Sequence, residues 1–135
     1  MRDRTVLLVE DDDLSARGTA RLLRSTGLTV TRAASGAEAR GLEDRFDLGV
    51  LDLDLPDGRG EELAADLLAT DRIRRCVFLS GCRDPERIQR AARVASVIGK
   101  GSPADVLVAA LTTARRPFSQ ITGLPLSSRA RQRGG

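Results

Sequence analysis

The sequence predicts an α/β fold in which five parallel strands and five helices alternate, a (βα)5 doubly wound sheet with strand order 2-1-3-4-5. Three observations predict it. Short runs rich in Val, Leu or Ile recur five times, longer amphipathic segments separate them, and capping signals stand at the junctions. Strands that are mostly continuous apolar runs suit a sheet covered by helices on both faces, and strand–helix–strand repeats imply parallel pairing through right-handed crossovers.

The first strand spans residues 6–9 (VLLV), and four acids, Glu10, Asp11, Asp12 and Asp13, follow it directly. A helix over about residues 13–24 comes next. The second strand, residues 28–31 (LTVT), alternates apolar and polar as an edge strand does, which places it outside the first and selects the order 2-1-3-4-5. The second helix opens with Ser35 and Glu38, a capping box. Residues 48–51 form the third strand, and a helix over about 60–69 turns Leu63, Leu67 and Leu68 inward. Residues 76–79 form the fourth strand, and Asp84 with Pro85 starts its helix. The fifth strand is 95–98, and Ser102, Pro103 and Asp105 open the last helix.

At 135 residues the chain has core enough for one domain. That domain is expected over residues 1–116, followed by a basic, disordered tail over 117–135. From Arg115 onward there are five arginines and no acid, whereas residues 1–114 carry 17 basic and 19 acidic side chains, so the net charge of +3 comes from the tail. No apolar run is long enough to span a bilayer, and no secretory signal is present, so no membrane association and a cytoplasmic location are expected. There is no histidine, which excludes Ser-His and Cys-His catalysis and His-ligated metals; Cys76 and Cys82 form no metal-type pair. Of the 22 basic residues 21 are arginine, and the single lysine is Lys100, which suggests a position that needs a compact ammonium.

In a doubly wound sheet the side chains at the C-terminal strand ends converge on a crevice where the strand order reverses. Glu10 and Asp11 end the first strand here, Asp52 the third, Ser80 the fourth and Lys100 the fifth. Carboxylates gathered from neighbouring strands repel one another unless a cation joins them, and magnesium suits such hard oxygen donors. An aspartate beside that metal can attack a phosphoryl group and form an acyl phosphate, with a lysine and a hydroxyl on the phosphoryl oxygens.

The segments VLLVEDDD, DLGVLDLDLPDG, VFLSG and VIGKGSP, in that order, resemble the four signature regions of the response-regulator receiver domain of two-component signalling, a flavodoxin-like fold. The resemblance covers about residues 4–115. It implies that Asp52 is the phosphoacceptor and that Asp11, Asp52 and the backbone carbonyl of Asp54 ligate Mg2+, with Glu10 holding metal-bound water. Ser80 is then the switch hydroxyl, Lys100 the partner of the phosphoryl oxygens, and Pro56 and Gly58 shape the loop. It also implies phosphoryl transfer from a sensor histidine kinase or phosphotransfer protein, a downstream protein partner or output domain outside this chain, and no separate enzymatic turnover. DNA binding by this chain is not expected, and a homodimer is compatible with the reading. Departures from the family pattern are Val97, where an aromatic is common three positions before the lysine, Gly101 after the lysine, and Asp54 and Cys82 beside the site. They bear on how a signal propagates and on phosphoryl lifetime, not on the transfer chemistry.

Two other classes share part of the pattern. LDLDLPDG resembles the Asp-x-Asp motif of haloacid-dehalogenase-type phosphatases, but those carry the nucleophile on the first strand, and here the acids come first. A toprim-type domain gives Ser80 and Lys100 no task. A receiver-like scaffold that signals without phosphorylation is the binding-module alternative, motivated by Val97. Asp12 and Asp13 read as caps of the following helix, Asp57 as a turn or cap residue, Arg59 as a solvated charge and Cys82 as an ordinary loop thiol.

Overall fold

The structure, a computed structural model, describes residues 4–113. In chain order its elements are β1 (Thr5–Val9), α1 (Asp13–Ser25), β2 (Thr29–Ala33), α2 (Gly36–Gly41), β3 (Phe46–Asp52), β4 (Asp54–Leu55), β5 (Gly58–Arg59), α3 (Gly60–Ala69), β6 (Ile73–Ser80), α4 (Pro85–Ala92), β7 (Ser96–Gly99) and α5 (Ala104–Thr113). The main sheet is parallel, in the order β2-β1-β3-β6-β7. This is the predicted 2-1-3-4-5 order, because β4 and β5 form a separate antiparallel hairpin of two residues per strand. The sequence reading did not anticipate that hairpin. The domain boundary at 116 and the predicted tail lie outside the described residues.

Strand limits follow the pairing partner more than the apolar run. β2 begins one residue later than expected and continues through Arg32 to Ala33, because the register pairs Thr5 with Thr29 and Val9 with Ala33. An edge strand tolerates the polar, half-buried Thr31 and Arg32. β7 likewise shifts by one to 96–99, set by Ser80 opposite Gly99.

The capping signals act at the helix starts. Asp12 accepts from the Ser15 amide at 2.8 Å, Ser35 from Glu38 at 3.1 Å and Asp84 from Glu86 at 3.1 Å. Glu38 reaches back to the Ala34 amide at 2.7 Å, so the capping box closes one residue before its cap. Gly27, with φ +92°, ends the first helical segment in the left-handed region, where a Cβ is disfavoured.

Alternation along the central strands divides the core between the two faces of the sheet. Val6, Leu8, Val50, Val77 and Leu79 pack with Ala16, Ala20, Leu23, Leu107 and Leu111 of α1 and α5. Leu7, Val9, Leu51 and Phe78 face the other way, against Leu63, Ala64, Leu67 and Leu68 of α3 and Ala91 of α4. Each such large side chain contributes about 1.5–3 kcal/mol by leaving water. Cys76 belongs to this core, and burial pushes its thiol up to about 12.

Candidate functional site

Hydrogen bonds beyond the strand ends carry the sheet into the loops that hold the predicted site. The Glu10 amide donates to the Ala33 carbonyl at 3.0 Å, the Leu53 amide to Leu79 at 3.1 Å and the Lys100 amide to Ser80 at 2.9 Å. The backbone around each site residue is therefore held by its neighbouring strand before any side-chain contact is made.

Glu10 and Asp52 are buried, at 1% and 3% exposure, which is costly for ionised carboxylates without a cation. Lys100 supplies one. Its Nζ donates to Asp52 Oδ2 at 2.9 Å and lies 2.9 Å from Glu10 Oε1. The other oxygens are held by backbone: the Asp54 amide donates to Asp52 Oδ1 at 3.0 Å, and the Asp12 amide to Glu10 Oε2 at 3.2 Å. Burial raises the Glu10 pKa above the usual range against the pull of Lys100. Burial works against the Lys100 charge, but the Glu10 and Asp52 carboxylates outweigh it and raise that pKa.

Asp11, exposed at the mouth of the crevice, completes the acidic cluster: ligand oxygens of Glu10, Asp11 and Asp52 lie within 4.8 Å of one another. With all three ionised, one ammonium leaves the cluster negative. Glu10 Oε1 is buried and makes no aligned hydrogen bond. Three hard oxygen donors and a net negative charge fit a small divalent cation.

Ser80 is buried at the end of β6, and its Oγ accepts the Cys82 amide at 2.9 Å. Cys82 Sγ in turn accepts from the Asp84 amide at 3.4 Å, so this loop thiol helps to shape the turn into α4. Of the residues read as incidental, Asp12 caps α1 as expected. Asp57 is indeed a cap, but for a remote helix: its carboxylate accepts from the Gly36 and Ala37 amides at 2.9 and 2.8 Å. Those amides hold its pKa below the usual carboxylate range and tie the β4–β5 turn to α2.

Two arginines that organise the site were missed by sequence reasoning. Arg32 donates from Nε and Nη2 to the Glu10 carbonyl at 3.0 and 2.8 Å, and pairs through Nη1 with Asp13 at 2.7 Å, pinning the loop after β1. Arg87 of α4 reaches back across the loop after β3, where it pairs with Asp54 and donates to the Leu53 carbonyl at 2.6 Å and to Glu61 at 3.3 Å. Among 21 arginines neither carries a local signal, since each acts on residues 19 or more positions away.

Comparison with known proteins gives the same frame. The family model of the response regulator receiver domain matches residues 6–112. The sensor kinase CckA of Brucella abortus (strain 2308) is 40% identical over 81 residues, which are 57% of this chain and 9% of that protein. The DNA-binding transcriptional activator DevR/DosR of Mycobacterium tuberculosis is 40% identical over 85 residues, 60% of this chain and 39% of that protein. The chain thus spans well under half the length of either. Among solved structures, a response regulator from Burkholderia pseudomallei, with a phosphorylated aspartic acid, calcium ion and citrate, superposes with TM-score 0.74 at 26% identity, covering 82% of this chain and 68% of that one.

Proposed function

Because this chain belongs to the response regulator receiver domain family, we propose that Asp52 accepts a phosphoryl group from the phosphohistidine of a sensor kinase or phosphotransfer protein. The observation that carries this reading is the Asp52 carboxylate, buried at the end of β3, hydrogen-bonded to the only lysine of the chain and clustered with Glu10 and Asp11.

In the transfer an Asp52 oxygen attacks phosphorus, the bond from phosphorus to the histidine nitrogen breaks, and the imidazole keeps that electron pair. Lys100 already touches Asp52 and would follow the phosphoryl oxygens, neutralising charge as it builds. The Asp54 amide orients the acceptor through Oδ1. Ser80, on the neighbouring strand, is the hydroxyl that turns toward the phosphoryl group, exchanging its bond with the Cys82 amide. Glu10, Asp11, Asp52 and the Asp54 carbonyl would hold Mg2+, which when bound screens the negative charge brought together by donor and acceptor.

Phosphorylation then shifts a two-state equilibrium in the loops after β6 and β7 and alters a partner surface. The output lies in another molecule or in another part of a longer protein, and the chain acts as a signalling module without separate turnover. Leu14, 77% exposed on the first turn of α1, borders a groove of about 350 Å³ between α1 and α5 that opens beside Lys100. It offers the phosphodonor an apolar contact next to the acceptor.

Intact-mass spectrometry after incubation with acetyl phosphate and Mg2+ tests the proposal. One added phosphoryl group, absent in Asp52→Asn and in EDTA, is expected; labelling of Asp52→Asn at another acid would move the nucleophile. If wild type takes up no phosphoryl group and fails to bind beryllofluoride, the scaffold alternative replaces this reading.

A further inference from the structure

Arg87 joins α4 to the loop after β3 and to α3. Its side chain is 17% exposed and contacts three groups of the β3–α3 region from α4: the Asp54 carboxylate, the Leu53 carbonyl and Glu61 in the first turn of α3. Asp54 is the hinge of the arrangement. Its amide holds Asp52 Oδ1 while its carboxylate holds Arg87, so one residue touches both the acceptor and α4. The Asp54 carboxylate, followed by Glu61, raises the guanidinium pKa above its usual range.

From this chain of contacts we infer that Arg87 is a positioning residue that couples the state of Asp52 to α4, through Asp54. The inference rests on the phosphoryl-acceptor reading of Asp52. The contact is built to have two states. Arg87 Nε is buried without a hydrogen-bond partner, so the docked guanidinium gives up the hydration of one donor and recovers it on release. The Asp54 carboxylate is 60% exposed and is hydrated as readily as it is paired. A phosphoryl group on Asp52 places new negative charge and bulk beside the Asp54 amide; any shift of residues 53 and 54 moves two of the three groups that hold Arg87. By reciprocity, losing the Arg87 contact changes the acceptor's environment as well. The route does not use residue 97, where Val97 lies half-buried against Phe78 and carries no polar group to signal with.

The test is hydrogen–deuterium exchange of residues 85–92 in the full chain, before and after acetyl phosphate and Mg2+, with intact mass recorded on the same samples. In wild type, labelling is expected to change exchange of this helix by about fivefold, within the usual range of coupling between sites. In Arg87→Gln, Asp52 still becomes labelled, but exchange of 85–92 is the same in both states. Asp54→Asn, which keeps the amide on Asp52, breaks the pair from its exposed side and gives the same loss of response should Arg87→Gln fold poorly. A purely structural role would speed exchange in both states and leave the response to labelling intact, which would overturn the inference. So would a wild-type helix that does not respond to a confirmed adduct. Absence of any adduct and of beryllofluoride binding on wild type would instead remove the phosphoryl-acceptor reading, and the coupling with it.

Discussion

Gly60, the first residue of α3, lies so close to the end of β3 that a Cβ there would fall well inside contact distance of the Asp52 carbonyl oxygen and 2.9 Å from Leu53 Cα. Both obstacles are backbone atoms. They cannot swing aside as a side chain would, and the Gly60 amide itself donates to the Leu53 carbonyl at 2.9 Å. Gly60→Ala therefore forces α3 and the end of β3 apart. Overpacking of this kind costs about 1–3 kcal/mol, and two rigid backbone neighbours place it near the upper end. Alanine's better helix propensity returns up to about 1 kcal/mol, leaving a net loss of about 2 kcal/mol. For a domain of this size that lowers Tm by roughly 8 °C. Gly49→Ala is the internal control: its Cβ would meet Ile73 Cδ1 at 2.8 Å, the movable end of a side chain, so the loss should be about half as large. Thermal and urea unfolding of the three proteins measure this, and acetyl phosphate labelling of Gly60→Ala should slow because residues 52–54 are displaced. A Gly60→Ala protein as stable as wild type would refute the close approach.

Asp52→Asn should fold as wild type does, because it relieves repulsion with Glu10, while losing all acyl-phosphate formation by intact mass. Lys100→Arg should keep the positive charge yet slow labelling, since a planar fork cannot place one compact charge 2.9 Å from both Asp52 and Glu10; labelling at the wild-type rate would remove the argument from the single lysine. Lys100→Met leaves two buried carboxylates without their cation and should cost about 2 kcal/mol by urea unfolding in EDTA at neutral pH. This is less than the ~3–5 of a fully buried pair, because Lys100 is 32% exposed. Glu10 titrates above the usual range, so that deficit should shrink as pH falls through its raised pKa; a deficit that grows on acidification would contradict the site electrostatics. Asp47 ties the start of β3 to β1 through the Arg4 and Thr5 amides at 2.7 and 3.1 Å, which hold its pKa below the ordinary 3.8. Its stabilisation of about 1–2 kcal/mol is present above 3.8 and lost as pH falls through its lowered pKa. Asp47→Asn should be less stable than wild type at neutral pH, and the gap should close in acid.

Local sequence determined the alternation of strands and helices, the caps and which residues stand at the strand ends, because each depends on residues within a few positions of one another. Asp12, Ser35 and Asp84 each stand one residue before the helix they cap, and Glu10, Asp52, Ser80 and Lys100 stand at the ends of apolar runs. The strand order was also legible, from the polar alternation of a single edge strand. The limits of β2 and β7 were not, because register with a neighbouring strand sets them.

Tertiary structure alone decided which charges serve the site. Nothing near Asp57 in the chain says that it caps α2, and nothing near Arg32 or Arg87 separates them from the other arginines. A guanidinium acts at the end of a long side chain on groups brought near by the fold, so its partners are chosen by how helices pack on the sheet. Sequence fixed which residues stand at the strand ends of this receiver domain; packing fixed which arginines and loop carboxylates hold those ends in place.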